Sequence, residues 1–291
     1  MVEGTRSSAP EIVVLADTEA VAAEAARRIV PALADAIDAR GEAHLALTGG
    51  SSAIALYREL ADARWLAAVD WTRVHLWWGD DRFVPVDHPD SNIGMAYNML
   101  LKAGARTGES GVGAQTSDIV DGTSPALPIR PENIHPFEID EALSESDPAE
   151  LVAERYAEKL TQLLPRGAGG LPAFDVLLLG VGGDGHIMSV FPDSDVARAA
   201  AEGDRDAPLV ASLPAPDHIE PHLPRVTLSP RLLPAAGLVL VMTSGDDKAD
   251  VLGRVFWAEH DPVRLPAQLA LLPNAIWLLD SAAAAELPRQ G

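Results

Sequence analysis

Short apolar runs rich in β-branched and aromatic residues alternate along the chain with segments of helical periodicity. The apolar runs are Ile12–Ala16, His44–Leu47, Val74–Trp78, Phe174–Gly180, Leu238–Met242 and Ala275–Leu279. The helical segments are Thr18–Arg40, Ser51–Ala61, Asn92–Leu101, Pro148–Leu164 and Asp246–Trp257. Several runs are apolar throughout, as expected of parallel strands that are covered on both faces. The alternation predicts an α/β fold with an open, mostly parallel, doubly wound sheet and helices on both faces.

The alternation continues along the whole chain, and no linker rich in Pro, Gly and Ser divides it. We therefore expect a single domain over residues 1–291, a length that allows a substantial core. The segment from Gly104 to Pro128 differs, because it is rich in Gly, Ser and Thr and has no periodicity. Its composition predicts a flexible surface loop.

Charge and cysteine content narrow the classes of function. The net charge is −21, which argues against a nucleic-acid partner and requires that any anionic ligand be held by a few local cations. The absence of cysteine excludes disulfides, thiolate nucleophiles and cysteine-bound zinc, and it fits a reducing compartment. No apolar run approaches the roughly 20 residues of a membrane span, and the N-terminus lacks a signal-peptide core. We expect a soluble cytoplasmic protein, monomeric or weakly homo-oligomeric, with no membrane partner.

The fourth apolar run ends in the glycine-rich stretch from Gly180 to Gly185, which spells G-x-G-x-x-G, the pattern of a dinucleotide-binding turn. Such a site also needs a long helix after the third glycine and an acidic residue about 20 positions further on. Pro192 follows too soon for that helix, so a nucleotide site is the less favoured interpretation. We expect the glycines to let the backbone turn sharply and approach a ligand. Asp184 and His186 would then lie together at the carboxyl end of a strand, although a capping histidine is the alternative.

The second apolar run leads through Thr48-Gly49-Gly50-Ser51-Ser52 directly into a helix. Free backbone N–H groups and the helix dipole meet there, which favours an anion site formed by Gly49, Gly50 and Ser51. A serine N-cap would explain Ser51 or Ser52, but not the paired glycines. The stretch also approaches the G-x-S-x-G nucleophile elbow, with Ala53 at the last position, so a serine esterase using Ser51 remains a rival hypothesis.

Charged residues follow other strands. Asp80, Asp81 and Arg82 come directly after the third run, and arginine suits bidentate recognition of phosphate or carboxylate. A solvated charge cluster is the alternative for these three. Two further cations, Arg225 and Lys248, are candidates for binding an anion; Lys248 lies in the first turn of a helix that follows a strand.

Two histidines are spaced as a metal-binding pair on a helix would be. They are His218 and His222, and Pro221 between them breaks the helix that such a pair needs. We therefore expect this segment to be a loop, and we expect no metal.

Four segments together resemble the glucosamine-6-phosphate isomerase/6-phosphogluconolactonase family. They read LALTGGSS, WWGDDRFVPVDHPDSNIGMAYNMLL, PENIHPF and LLLGVGGDGHIMSVFPDS. The resemblance runs from about Ile12 to Leu279, apart from the segment Gly104–Pro128, and it implies a Rossmann-like domain without nucleotide or metal cofactor. Gly183 stands where relatives usually carry Glu or Pro, and HIMSVFP, which includes Ile187, replaces the commoner H-T-A-S-L-F-P.

The family has an isomerase branch and a lactonase branch. The isomerases carry a glutamate where this chain has Phe191, and they lack an arginine equivalent to Arg82. Both differences favour the lactonase branch. The resemblance thus implies hydrolysis of 6-phospho-D-glucono-1,5-lactone to 6-phospho-D-gluconate in the oxidative pentose phosphate pathway, with sugar-phosphate isomerisation or deamination as the alternative. A sugar-phosphate sensor is a further rival, but such sensors usually carry a basic DNA-binding domain, and no segment here is basic enough.

The resemblance also implies roles for the candidate residues. His186 would act as the general base that activates water, with Asp184 fixing the orientation and tautomer of its ring. The phosphate would lie at the helix start formed by Gly49–Ser52, with Arg225 and Lys248 as counter-charges. Arg82 could bind either the phosphate or the sugar, and Asp80 would contact sugar hydroxyls or position Arg82.

Overall fold

The structure is a computed structural model that describes residues 9–101 and 126–287. The strands in this part of the chain are β1 (Glu11–Leu15), β2 (Ala43–Leu47), β3 (Val74–Trp78), β4 (Asp80–Arg82), β5 (Ile134–His135), β6 (Val176–Leu179), β7 (Val210–Leu213), β8 (Arg225–Leu228), β9 (Leu238–Thr243) and β10 (Ala275–Asp280). The α-helices are α1 (Thr18–Arg40), α2 (Ser51–Leu60), α3 (Ala63–Leu66), α4 (Asn92–Leu100), α5 (Ile139–Glu145), α6 (Ala149–Leu163), α7 (Asp195–Glu202) and α8 (Ala249–Trp257). Short 3₁₀ helices lie between them, among them the turn Asp246–Lys248 that leads into α8.

The larger sheet contains the strands in the order β1-β10-β9-β6-β2-β3-β5, and every neighbouring pair is parallel. β2 and β6 are buried along their whole length, which explains why their sequences are almost entirely apolar. The indole rings of Trp77 and Trp78 on β3 are also fully buried. All six apolar runs are strands of this sheet, with bounds within two residues of the prediction. The predicted α/β fold class is therefore confirmed.

The strand order fixes where a ligand can bind. From β2 the chain proceeds outward through β3 to β5, whereas from β6 it proceeds to the opposite side through β9 and β10. The order therefore reverses between β2 and β6. In open parallel sheets a crevice forms at such a switch point, beyond the carboxyl ends of the strands. The loops after β2 and β6 are the glycine-containing stretches Thr48–Ser52 and Gly180–Gly185.

The helix boundaries follow local capping chemistry. Asp17 caps the start of α1 by accepting a hydrogen bond from the amide of Ala20, and Gly41 ends it in the left-handed conformation at φ 88°. Ser91 caps α4 in the same way through the amide of Gly94. The five predicted helices are all present, although Asp246–Lys248 forms a 3₁₀ turn before α8.

A second, smaller sheet was not predicted. It contains β4, β8 and β7 in antiparallel order, with Arg82 paired opposite Arg225 and Asp80 opposite Thr227. This pairing brings the two arginines side by side next to the carboxyl end of β3, although they are 143 positions apart in the sequence.

Two expectations about the fold remain untested by the structure. Residues 104–125 of the predicted loop lie outside the described residues, and the assignment of one domain to residues 1–291 stays a prediction. Within residues 9–101 and 126–287, no helix has the length and apolar character needed to cross a bilayer.

Candidate active site

A cleft of about 200 Å³ opens at the carboxyl ends of the four adjacent strands β9, β6, β2 and β3. Each strand contributes the residues that follow it. The lining residues are Thr48, Gly49, Gly50, Ser51, Ser52, Asp80, Arg82, Asn92, Gly180, Val181, Gly182, His186, Met188, Met242, Thr243, Ser244 and Lys248. The predicted site residues all line the cleft except Asp184 and Arg225. Asp184 does not line the cleft itself but contacts His186, which does.

The paired glycines after β2 have separate structural reasons. A Cβ on Gly49 would lie 2.1 Å from the side-chain oxygen of Asn92, and Gly50 adopts the left-handed conformation at φ 91°. Gly50 is the N-cap of α2, and no side chain caps the helix, so the serine N-cap interpretation is wrong. The backbone N–H groups of the first turn are therefore left to an incoming anion.

The loop after β6 holds His186 against Asp184. The ring Nδ1 of His186 lies 2.6 Å from Asp184 Oδ1, and the same oxygen accepts a hydrogen bond of 3.1 Å from the His186 amide. Gly182 makes room for this pair, because a Cβ there would lie 2.1 Å from His186 Nδ1. Gly185, at φ 92°, provides the turn. The first α-helix after the third glycine begins only at Asp195, unlike the arrangement of a dinucleotide site.

The charge state of Asp184 fixes the roles in this pair. Burial raises the pKa of Asp184, but hydrogen bonds and the charge interaction with His186, together with a bond from His218, hold that pKa well below its usual range. Asp184 is therefore a carboxylate, which can only accept hydrogen bonds. His186 must donate from Nδ1, so in the neutral ring Nε2 carries the lone pair. His186 lines the cleft, where that lone pair can accept a proton.

The charged residues after β3 have distinct partners. Asp80 is buried and accepts a 2.6 Å hydrogen bond from the hydroxyl of Ser189, which joins the loops after β3 and β6. Asp81 accepts hydrogen bonds from the amides of Asn92 and Ile93 at the start of α4. Burial raises the pKa of Asp81 to about 6, although these hydrogen bonds act to lower it. Asp81 thus has a structural role, and the solvated-cluster alternative is wrong for it.

Arg82 lines the cleft with part of its guanidinium uncommitted. Its Nη1 donates a 2.5 Å hydrogen bond to the carbonyl of Asp90, whereas its buried Nε has no partner among the described residues. The hydroxyls of Thr243 and Ser244, on the opposite wall, are also buried and unpaired within that part of the chain. Unpaired buried polar groups are rare in folded proteins, and a functional role is one explanation for three of them in residues that line one cleft.

The two predicted anion-binding cations differ in position. Lys248 lines the cleft, and its Nζ lies 3.2 Å from Asp247 Oδ2. Arg225 is buried and is not among the lining residues; it donates hydrogen bonds of 3.1 and 2.9 Å to the carbonyls of Leu223 and Pro221. Burial and the neighbouring Arg82 lower the pKa of Arg225 to about 10. The bonds to Leu223 and Pro221 hold the Arg225 guanidinium toward the loop 214–224. The role of Arg225 as a phosphate ligand stays a prediction.

His218 contacts the site, although its sequence context predicted only that it lies in a loop. It lies in the loop 214–224, as predicted for that segment, and its Nε2 is 3.0 Å from Asp184 Oδ2. The 34 positions between His218 and Asp184 contain no local pattern that links them. Across residues 9–101 and 126–287, no cluster of His, Cys, Asp and Glu has a geometry that could hold a metal ion.

The rival nucleophile Ser51 is exposed at the start of α2. Among the described residues, no hydrogen bond joins its hydroxyl to a histidine. The base–nucleophile pair that defines a serine esterase is therefore not formed within that part of the chain.

Comparison with known proteins shows the family of the chain. The sequence profile of the glucosamine-6-phosphate isomerases/6-phosphogluconolactonase family matches residues 16–277. The chain therefore belongs to this family. It is 34% identical to a 6-phosphogluconolactonase of Streptomyces coelicolor, over 97% of each chain, and 32% identical to one of Synechocystis, over 96% of this chain and 99% of the relative. The solved structure of the 6-phosphogluconolactonase from Trypanosoma brucei superposes with a TM-score of 0.76, at 26% identity, over 97% of this chain and 100% of the other.

Proposed function

We propose that the protein hydrolyses 6-phospho-D-glucono-1,5-lactone to 6-phospho-D-gluconate, as a step of the oxidative pentose phosphate pathway. The relatives reported above are named 6-phosphogluconolactonases, which supports this reaction. The observation that carries the proposal is the contact between His186 Nδ1 and Asp184 Oδ1, 2.6 Å, in a cleft that also contains an uncapped helix start. A general base and an anion site at the carboxyl ends of neighbouring strands match the two ends of a phosphorylated lactone.

The chemistry needs one base and no covalent intermediate, because a lactone carbonyl is already electrophilic. Water attacks C1 while His186 Nε2 accepts its proton, and the carbonyl oxygen becomes an oxyanion. Collapse of this intermediate breaks the bond between C1 and the ring oxygen, and His186 returns the proton to that oxygen. Asp184 keeps the ring in the Nδ1–H tautomer throughout and stabilises the imidazolium that forms. General base catalysis of this kind contributes about 10²- to 10⁴-fold.

The strand order supports the following assignment of the two ends of the substrate. Lys248 follows β9 and Arg82 follows β3, and the two strands are three spacings apart, about 14 Å at the backbone. We assign the phosphate to Lys248 together with the Gly49–Ser52 helix start, which supplies free N–H groups. Arg82 then serves the sugar and lactone end, where a guanidinium stabilises the oxyanion or binds hydroxyls. Asp80, held by Ser189, is placed to accept from a sugar hydroxyl.

The isomerase alternative is less favoured because of the residue beside the base. The Phe191 ring lies edge-on to His186 with centroids 5.0 Å apart, so a hydrocarbon occupies the position where a second proton-transfer group would be needed. Moving a proton between two carbons and opening a ring requires such a group, whereas lactone hydrolysis does not.

The proposal is tested by assaying freshly prepared 6-phosphogluconolactone and glucosamine 6-phosphate side by side with the same enzyme preparation. We expect saturable hydrolysis of the lactone well above its spontaneous rate, and no turnover of the amino sugar. Turnover of glucosamine 6-phosphate with no acceleration of lactone hydrolysis would place the protein in the isomerase branch.

A further inference from the structure

Asp184 contacts two histidines, of which the reaction described above uses one. Oδ1 lies 2.6 Å from His186 Nδ1, and Oδ2 lies 3.0 Å from His218 Nε2. Because an ionised carboxylate has no proton to give, both rings must donate to it. The two histidines therefore hold the carboxylate from its two ends.

The aromatic ring between the histidines makes the arrangement a single packed unit. Phe191 lies edge-on to His186 with centroids 5.0 Å apart and edge-on to His218 with centroids 5.6 Å apart. The guanidinium of Arg225 lies over the same ring, 5.8 Å from its centroid. Arg225 also binds the carbonyls of Pro221 and Leu223, in the loop that carries His218. The position of His218 is thus supported independently of its bond to Asp184.

We propose that His218 is a positioning residue that orients the Asp184 carboxylate and thereby keeps His186 in the tautomer whose Nε2 can accept a proton. With Oδ2 bound to His218, the carboxylate cannot rotate away from the His186 ring without losing a charge-assisted hydrogen bond. With Oδ2 free, rotation costs one charge-assisted hydrogen bond fewer, since only the two bonds of Oδ1 to His186 then oppose it, and the Nε2–H tautomer of His186, which cannot act as a base, becomes more accessible. The inference rests on the proposed role of His186 as the base.

A merely structural role for His218 would consist in pinning the loop 214–224, and His222 offers a matched control for it. His222 lies in the same loop, and its ring contacts the carbonyl of Pro216 at 2.6 Å and the carboxylate of Glu220 at 3.0 Å. Replacing His222 disturbs the loop without removing a bond to Asp184.

The test combines steady-state kinetics with nitrogen NMR of the histidine rings in the full-length protein. Ring signals are measured at about pH 8, where a free imidazole is neutral, and His186 is assigned from the signal that disappears in His186→Gln. In the wild type we expect the Nδ1–H tautomer for His186. In His218→Ala we expect the Nε2–H tautomer to appear, together with a kcat about 10-fold lower and a KM within about 2-fold, as for the loss of one charge-assisted hydrogen bond.

His218→Gln, whose side-chain amide can donate to Oδ2, should restore the tautomer and most of kcat, and His222→Ala should leave both unchanged. An unchanged His186 tautomer in His218→Ala, a wild-type kcat, or an equal loss in His222→Ala would each overturn the inference. The NMR result does not depend on any substrate. A wild-type protein that fails to hydrolyse the lactone would therefore refute the proposed function without affecting the tautomer measurement.

Discussion

Lys248→Ala tests the proposed phosphate site most specifically. Lys248 lines the cleft beyond the end of β9. Among the lining residues that follow β9, Lys248 is the only cation. Its Nζ contacts Asp247 Oδ2 at 3.2 Å, a partner that is largely exposed and can release it to a phosphate oxygen. At a net charge of −21, the protein as a whole repels a dianionic phosphate, so local cations must hold it.

The magnitude follows from the interaction that is lost. A hydrogen bond between a charged donor and a charged acceptor contributes about 1.5–3 kcal/mol, and about 1.4 kcal/mol corresponds to a factor of ten. Lys248→Ala should therefore lower kcat/KM for 6-phosphogluconolactone by roughly 10- to 150-fold. Hydrolysis of unphosphorylated gluconolactone should barely change, because that substrate offers the ammonium group nothing to bind.

The assay compares both lactones in Lys248→Ala and in Arg254→Ala. Arg254 is a matched control, because it is an exposed cation on the adjoining helix α8 and does not line the cleft. Equal losses on both substrates would indicate a defect in folding or in the base. Wild-type efficiency of Lys248→Ala on the phosphorylated lactone would refute the assignment of the phosphate to this wall.

Three further predictions concern the glycine turn, the ligand and acid stability. Gly182→Ala should lower kcat by on the order of 100-fold, because its Cβ would lie 2.1 Å from His186 Nδ1. Gly183→Ala should retain a kcat near that of the wild type, because its Cβ would meet no atom within 4 Å. A similar kcat in the two variants would contradict this prediction. 6-Phosphogluconate should raise Tm, and NADP at a similar concentration should not, because only a ligand of the folded state stabilises it; a saturable shift with NADP would revive the nucleotide interpretation. Burial, aided by the charge of His75, lowers the pKa of His135 to about 3 in the folded protein. The unfolded chain binds a proton at this histidine below about pH 6.5, whereas the folded protein does not, so the free energy of unfolding falls as the pH drops below about 6.5. Between pH 7 and pH 5, the free energy of unfolding measured in urea should fall by about 2 kcal/mol less in His135→Gln than in the wild type. The raised pKa of Asp81 acts in the opposite direction, but Asp81 is the same in both proteins. Equal falls in the two proteins would refute the assignment to His135.

The central sheet could be predicted from the sequence because burial on both faces leaves a direct mark in composition. β2, β6 and β9 read as nearly continuous apolar runs, and their flanking glycines mark where each ends. The cleft followed from the same pattern, since the carboxyl ends of adjacent parallel strands must lie together. Gly49, Asp80, His186 and Lys248 were all found in this way, each as a residue that follows a strand.

The second sheet and the contact of His218 could not be predicted in the same way. β4 has three residues, all charged, so it has no apolar periodicity to recognise. Its pairing with β8 depends on the path of the intervening chain, and that pairing decides that Arg225 is buried beside Arg82 and does not line the cleft. His218 reaches Asp184 from an irregular loop, whose course is set by tertiary contacts that leave no periodic signal.

The most direct test of the account is the kcat of His186→Ala on freshly prepared 6-phosphogluconolactone. His260→Ala is the control, because His260 is exposed and lies outside the cleft. We predict that His186→Ala lowers kcat by at least about 100-fold and leaves KM within a few-fold, since a general base acts mainly in the transition state. His260→Ala should retain wild-type activity. A kcat of His186→Ala within a few-fold of the wild type would contradict the assignment of His186 as the base.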